Sequence, residues 1–259
     1  MIGAALLTSQ LVIGPVRASA QTAQDLLDFP AVNLDILTAD GTQNIGKGRY
    51  QMDRLPDGGI LRGENHYQDG QYDLETARLV ILSSNRLPVL TNYEHTYFDK
   101  RGTPQLIVRA DFRSGKALCM TSRGGHQTTE IADLNFPEDT YSGGSVLIPI
   151  QDFLRTGTAS VLKLHGFACA PGPKIITVKI QLDTRPSPLR VFNPNAIKID
   201  AYPDFGFWNF FIEPLLPKLH AWFDPGDNWA FVGAELGRYY RGPNIVMVKA
   251  QPETGTSAK

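Results

Sequence analysis

The sequence predicts a mainly β protein, in which a curved antiparallel sheet of half-barrel or clam-like form carries one or two short helices. Two observations indicate this fold. Hairpin units recur along the chain, each with a strand, a Gly-rich or Asp-rich turn and a second strand. Apolar and polar residues alternate with a period of two, as Leu106, Val108 and Ala110 do on one face. Regular helical units between strands are missing, which disfavours a parallel βαβ architecture.

The chain opens with a segment typical of a cleaved secretory signal. Residues 2–16 are mostly apolar, and Ala18-Ser19-Ala20 supplies the small residues that a signal peptidase recognises. We therefore expect a signal peptide over residues 1–20, cleavage near Ala20, and a mature protein in the periplasm or secreted. No Lys or Arg precedes the run, which departs from the usual signal pattern. An uncleaved membrane anchor is the alternative. A transmembrane helix needs about 20 apolar residues, and this run is shorter. We therefore expect no stable membrane span after cleavage.

The amino-acid composition indicates the class to which the mature protein belongs. An apolar content of 42% and a charged content of 20% are typical of a globular protein. We expect a single β-rich domain over residues 21–250 and a disordered tail over residues 251–259. The formal net charge is −1, with no long run of either sign. A general nucleic-acid binder shows a basic face, so no nucleic-acid partner is expected.

The predicted hairpins follow one another along the chain. Residues 48–54 and 60–67 flank Pro56-Asp57-Gly58, where Pro presets φ and Gly accepts a positive φ. The same pattern predicts three further hairpins. Their strand pairs are 91–98 with 105–112, 116–121 with 126–131, and 218–223 with 229–235.

Two segments favour helices. Residues 140–154 fit a helix that ends before Gly157, although Gly143, Gly144 and Pro149 weaken it. Residues 206–216 are strongly apolar and form the second candidate. The Pro-rich residues 185–194 predict a loop between the earlier strands and the final hairpin.

The two cysteines, Cys119 and Cys169, match no CxxC, zinc or nucleophile pattern. An exported chain can oxidise them to one disulfide. Two buried thiols that pack as small hydrophobic groups fit the sequence equally well. Spacing in the sequence does not decide between these alternatives, because it carries no geometry.

No metal site is expected. Glu64 and His66 share a strand face, and Glu94-His95 lies on another strand, so the four could form a carboxylate and imidazole set. They lack any signature spacing, and polar residues on the solvent face of a sheet are the better interpretation.

Nucleophilic catalysis also lacks a motif. The chain has no G-x-S-x-G elbow. Asp139, Ser142 and His165 would form a triad only if the fold brought them together, because a triad is defined by geometry. We therefore predict no enzyme, no catalytic residue and no cofactor. A hydrolase with a dispersed site is the least favoured alternative.

Residues 205–229 hold the densest aromatic cluster, including all three tryptophans. Core packing is the more common role of such clusters. The functional interpretation is an apolar hollow that receives a lipid chain or another hydrophobic ligand. The residues predicted to line this hollow are Trp208, Phe211, Trp222 and Trp229. A tyrosine series in the first half is interpreted as cross-strand pairs, with a carbohydrate-binding face as the alternative. Its members are Tyr50, Tyr67, Tyr72, Tyr93 and Tyr97.

The second half of the chain carries a resemblance in the order of its elements. The elements are Phe136-Pro137-Glu138-Asp139, helix-like residues 145–154, strands 161–167 and 175–182, and the closing hairpin 219–236. In these the chain resembles a family of uncharacterised exported bacterial β domains. That family is similar in architecture to the periplasmic lipoprotein carriers, in which a curved antiparallel sheet wraps helices and leaves an apolar hollow. The resemblance implies no catalytic residue.

These observations lead to an expected function. We expect an exported, non-enzymatic binding protein of the bacterial cell envelope that holds a hydrophobic or lipid-like ligand in an apolar hollow of its sheet. The alternative is an envelope interaction module that binds a protein or a glycan through an exposed sheet face or edge. The expected partners are therefore a hydrophobic ligand or an envelope protein.

Overall fold

The computed structural model describes residues 22–83, 85–157, 159–169, 172–183, 195–204, 219–238 and 242–251. Within these ranges the chain forms fifteen strands and one α-helix, which confirms the mainly β fold. The predicted signal peptide, the predicted helix at 206–216 and the Pro-rich loop at 185–194 lie outside the described residues, as does the predicted tail beyond residue 251. The helices among the described residues do not reach the length and apolar character that a transmembrane helix requires.

The strands occupy most of the described chain. In chain order they are β1 (Val32–Thr38), β2 (Asn44–Leu55), β3 (Gly58–Tyr67), β4 (Tyr72–Val80), β5 (Val89–Phe98), β6 (Pro104–Asp111), β7 (Lys116–Arg123), β8 (His126–Asp133), β9 (Thr140–Tyr141), β10 (Val161–Cys169), β11 (Pro173–Asp183), β12 (Ile197–Pro203), β13 (Leu219–Asp224), β14 (Ala230–Gly237) and β15 (Asn244–Lys249). All four predicted hairpins are present, as β2–β3, β5–β6, β7–β8 and β13–β14.

All fifteen strands belong to one sheet, in the order β8-β7-β6-β5-β4-β3-β2-β1-β15-β14-β13-β12-β11-β10-β9. Neighbouring strands are antiparallel except β9 and β10, which are parallel. The N-terminal β1 pairs with β2 on one side and with the C-terminal β15 on the other. The two halves of the chain are therefore two meanders joined along the centre of the sheet, and β8 and β9 form its margins.

The sheet curls until its margins approach each other. Cys119 on β7 and Cys169 on β10 form a disulfide, with their Cα atoms 5.8 Å apart. The sheet order places these two strands second from opposite margins, so only strong curvature brings them together. The disulfide decides between the two alternatives for the cysteines. The sheet nevertheless stays open, because β8 and β9 do not pair with each other.

One α-helix, α1 (Leu147–Thr156), lies against the inner face of the curled sheet. We use "inner face" for the side that carries the core and "outer face" for the opposite side. Ile150 and Phe153 pack with core residues of β1 and of the second half of the chain. Ile148 packs with Leu79 and Leu90 of the first half. The helix therefore joins the cores of the two meanders.

The predicted helix at 140–154 is shorter than expected at its start. Thr140–Tyr141 forms β9, and a 3-10 turn over Gly143–Val146 precedes α1. Gly143 has a φ of 54°, which interrupts a regular helix at this point. Pro149 lies in the first turn of α1, where its missing N–H has no intrahelical acceptor. The end is as predicted, since Gly157 adopts a left-handed conformation and donates its N–H to Phe153.

Candidate functional site

The structure places the predicted ligand-binding tryptophans in separate clusters. Trp222 on β13 is 1% exposed and packs with Val246 of β15. Trp229, in the turn before β14, packs against the main core cluster that contains Phe231. Trp208 and Phe211 lie outside the described residues. The apolar hollow therefore stays a prediction, and the two described tryptophans do not share one environment.

The tyrosine series is divided between the two faces of the sheet. Tyr67, Tyr93 and Tyr97 are buried on the inner face, where they belong to the core clusters. Tyr72 lies on the outer face and stacks on Phe98, with ring centroids 4.5 Å apart. Because the series does not share one exposed face, it does not form a continuous carbohydrate-binding platform.

The two Glu–His pairs considered as metal ligands also lie apart. The Nε2 atom of His66 contacts the Glu64 carboxylate on the outer face, where both side chains are exposed. His95 points to the inner face, and its Nε2 atom lies 3.2 Å from Asp73 Oδ1. The described residues contain no group of three or more His, Cys, Asp or Glu side chains arranged to hold a metal ion.

Two of the three possible triad residues do meet. His165 Nδ1 lies 2.7 Å from Asp139 Oδ1, on a partly exposed surface. Ser142 is buried, and its hydroxyl donates to the carbonyl of Phe167 at 3.0 Å. The serine hydroxyl is therefore bonded to the backbone of β10, and the histidine has no described contact with it.

A buried polar network, which the sequence analysis missed, lies on the inner face of β3–β5. Asp73 is its centre. Its carboxylate accepts hydrogen bonds from Asn65 Nδ2 and from the Tyr67 hydroxyl, both at 2.9 Å, in addition to the His95 contact. The strand period provides a signal for this network, since Asp73 is two residues from Glu75 and four from the buried Ala77.

Glu75 continues the network toward the turn before α1. Its carboxylate accepts from the backbone N–H of Gly144 at 2.6 Å and from the Tyr50 hydroxyl at 3.3 Å. Burial raises the pKa of Glu75 above its ordinary value. Burial also lowers the pKa of His95, but the hydrogen bond and charge of Asp73 outweigh this effect, and the pKa of His95 is raised.

The network is almost fully hydrogen-bonded. Each carboxylate oxygen of Asp73 and Glu75 contacts at least one hydrogen-bonding group of the protein. Asn65 Oδ1 is the exception, since it is buried and has no hydrogen-bond partner among the described residues. Paired buried polar groups stabilise a fold, whereas a buried polar atom without a partner costs stability.

The outer face of β2–β8 is a candidate surface in the described part of the chain. A straight row of side chains crosses its seven strands, formed by Gln51, Arg62, Thr76, Glu94, Arg109, Leu118 and Ile131. Two open depressions flank the row, with volumes of about 560 Å³ over β4–β8 and about 330 Å³ over β2–β4. Thr76 borders both.

Charges on this face are mostly paired. Arg109 binds Glu94 through two hydrogen bonds, at 2.7 and 3.1 Å. Lys116 Nζ lies 2.5 Å from Asp133. Ile131 stands 71% exposed at the rim of the larger depression. The face therefore carries paired charges of both signs, and the apolar Ile131 lies next to the sheet margin.

The margin beside this depression is β8. All its side chains are exposed except Ala132, which is half-buried. No strand in the described ranges pairs with β8 on the side away from β7. About half of the N–H and C=O groups of such an edge strand point outward without a ladder partner. The strand also lacks the Lys and Pro residues that often protect an edge.

Comparison with protein-family models and with curated proteins gives no relative on which to base a function. No protein-family model matches the chain, and no curated protein matches it. The resemblance to exported bacterial β domains therefore stays a prediction.

Proposed function

We propose that this protein is an exported, non-enzymatic interaction module that binds an extended polypeptide segment by strand addition to β8. The observation that carries the proposal is the exposed edge of β8 beside the outer depression that reaches Ile131. In strand addition, the edge backbone supplies affinity, and neighbouring pockets select alternate side chains of the partner. The disulfide supports the exported location, because such bonds persist in oxidising compartments.

A polypeptide fits this margin better than a glycan or a lipid. The outward N–H and C=O groups of a strand match those of another strand. Tyr72 and Phe98 stack on each other, which reduces the ring surface available to a sugar. Trp222 and Trp229 pack in separate clusters, so they give no support to a shared lipid hollow.

Backbone methylation of the partner provides the test. Peptides that bind the oxidised mature protein are first selected from an array of unstructured ten-residue peptides by fluorescence anisotropy. Each is then N-methylated at alternate residues, in two sets offset by one residue. A paired strand uses the N–H groups of one edge only, so one set should lose binding by at least tenfold while the other retains it.

Two results would contradict the proposal. Equal loss with both methylated sets would mean that the peptides do not bind as a strand. An array without a binder would argue against polypeptide recognition altogether. Ile131→Ser, which changes only the rim of the depression, should alter which peptides are selected, whereas Leu219→Ser on the distant β13 should not. The side chains of Ile131 and Leu219 are both exposed, so neither substitution creates a cavity in the core.

A further inference from the structure

We infer that the segment bound at β8 is cationic, with Lys or Arg opposite Glu130 and Asp133 and an apolar residue opposite Ile131. This inference rests on the proposed strand addition and names the class of partner. It follows from the register of β8, from the charges on that strand and from the side chains beside it.

The register fixes which face each side chain of β8 takes. Glu130 is paired with Cys119, whose disulfide lies on the inner side, and its carboxylate lies against Gly172 of the β10–β11 turn. Ile131 is paired with Leu118 on the outer face. Asp133 is paired with Lys116 on the same outer face. An added strand continues these cross-strand rows, because side chains alternate between faces with a period of two.

The charges of β8 are of one sign. The strand carries Glu130 and Asp133 and no Lys or Arg. Glu130 is exposed and has no ion pair among the described residues. Asp133 meets Lys116, but its side chain stays 75% exposed and accessible to a second cation. Opposite charges across a strand pair stabilise it, and like charges directly opposite destabilise it.

These positions define a short pattern in the partner. In antiparallel addition, which continues the arrangement of β6–β8, the partner runs from Asp133 toward His126. Its residues would then be basic opposite Asp133, unrestricted opposite Ala132, apolar opposite Ile131 and basic opposite Glu130. The apolar side chain would contact Ile131, which borders the larger outer depression.

Three peptides test the pattern. They share one Thr- and Val-rich host with Ile at the apolar position, and they carry Lys, Thr or Glu at both basic positions. Binding to the oxidised mature protein is measured by fluorescence anisotropy at low and at high salt. We expect the Lys peptide to bind about tenfold more tightly than the Glu peptide, with the Thr peptide between them. The preference should shrink at high salt, since exposed pairs are screened.

Substitutions on β8 test whether its acidic residues cause the preference for the Lys peptide. The double change Glu130→Gln with Asp133→Asn should bring the Lys-to-Glu ratio close to one while the Thr peptide still binds. The matched control, Asp28→Asn with Asp227→Asn, removes two exposed acids outside β7 and β8 and should leave the ratio unchanged.

The outcomes separate the two proposals. Binding of all three peptides with equal affinity would overturn the cationic partner and leave strand addition in place. Binding of none, the neutral peptide included, would count against the proposed function itself. A preference for Lys that survives the double change would place the recognition elsewhere on the protein and overturn this inference.

Discussion

Glu75 shows how one buried carboxyl group affects the stability of this fold. Burial raises its pKa in the folded protein, whereas in the unfolded chain the group titrates near the ordinary value of about 4.3. The folded state therefore holds a proton over a pH range in which the unfolded state has lost it. The stability associated with Glu75 is lost as pH rises from about 4.3 through the folded pKa.

Glu75→Gln should remove this part of the pH dependence. The amide oxygen can still accept from the Gly144 N–H, and the side chain carries no charge to bury. We expect the wild-type free energy of unfolding to fall relative to the variant as pH rises above about 4.3. Urea titrations of both proteins across pH measure the difference, in which groups common to both cancel. A constant difference across that range would contradict the assignment.

Gly63 provides a second test at the residue scale. A Cβ atom at this position would lie 2.5 Å from Tyr50 Cε1, so the Tyr50 ring must move away from Glu75 and Asn65. We expect Gly63→Ala to destabilise the protein by about 1–3 kcal/mol in urea unfolding. Gly226→Ala is the control, because its Cβ would meet only Asp224 Oδ1, at 3.2 Å. Equal effects of the two changes would argue against a tightly packed network.

At the scale of elements, Arg238 ties the end of β14 to the β3–β4 hairpin. Its guanidinium carbon lies 3.6 Å from the centroid of the Tyr67 ring. Its two terminal nitrogens donate to Asp69 at 2.9 and 3.1 Å, and one also donates to Gln71. The Arg238 side chain is 10% exposed and the Asp69 side chain is 47% exposed, so solvent screens the ion pair only in part. The last hairpin of the chain is thus fixed to an early one.

Arg238→Lys should weaken this link even though it keeps the charge. Lysine has no planar fork for the two Asp69 contacts and no flat group to stack on Tyr67. We expect a loss of about 1–3 kcal/mol in the free energy of unfolding. Arg101→Lys in an exposed turn is the matched control and should change stability by less than about 0.5 kcal/mol. A similar small effect at Arg238 would mean that the link contributes little.

The elements differ in how far the sequence predicts them. The hairpins β2–β3 and β7–β8 could be predicted because local turn residues such as Gly58 and Gly125 impose them. The pairing of β1 with β15 joins Leu34 to Lys249, and no local signal encodes so distant a contact. The edge position of β8 depends on that topology, so the sequence alone indicated only a strand there.

The aromatic residues predicted to bind a ligand also depend on structure that the sequence does not encode locally. A register shift between Trp222 and Phe223 changes the alternation of β13, so the period of two does not predict which aromatic side chain faces the core. Trp229 has a φ of 59° in a turn and joins the main core cluster from there. The aromatic composition of the segment singles out both tryptophans. The side on which each side chain lies depends on this irregular backbone.

At the scale of the whole molecule, the Cys119–Cys169 disulfide holds the curled sheet near its two margins. The bond closes a loop with a sequence separation of 50 residues. In the chain-entropy description, a loop of this size stabilises the folded state by about 4 kcal/mol. The disulfide links β7 to β10, which no strand pairing among the described residues joins.

Removal of the disulfide should therefore open the margins before the centre. We expect Cys119→Ser with Cys169→Ser to lose roughly 2–4 kcal/mol of stability. Amide exchange should increase first in β7, β8 and β10, while β1 and β15 stay protected. A reducing agent should reproduce the effect in the wild type and change nothing in the double variant. Uniform loss of protection across the sheet would contradict this role.

Binding of an extended polypeptide at the unpaired edge of β8 should be visible in the amides of that strand. Amide hydrogen exchange is measured at single-residue resolution, with and without the Lys peptide of the pattern above. We expect alternate amides of residues 126–133 to gain protection on binding, while those of β12 and β13 do not change. Protection confined to another part of the sheet, or none in β8 when the peptide is bound, would contradict it.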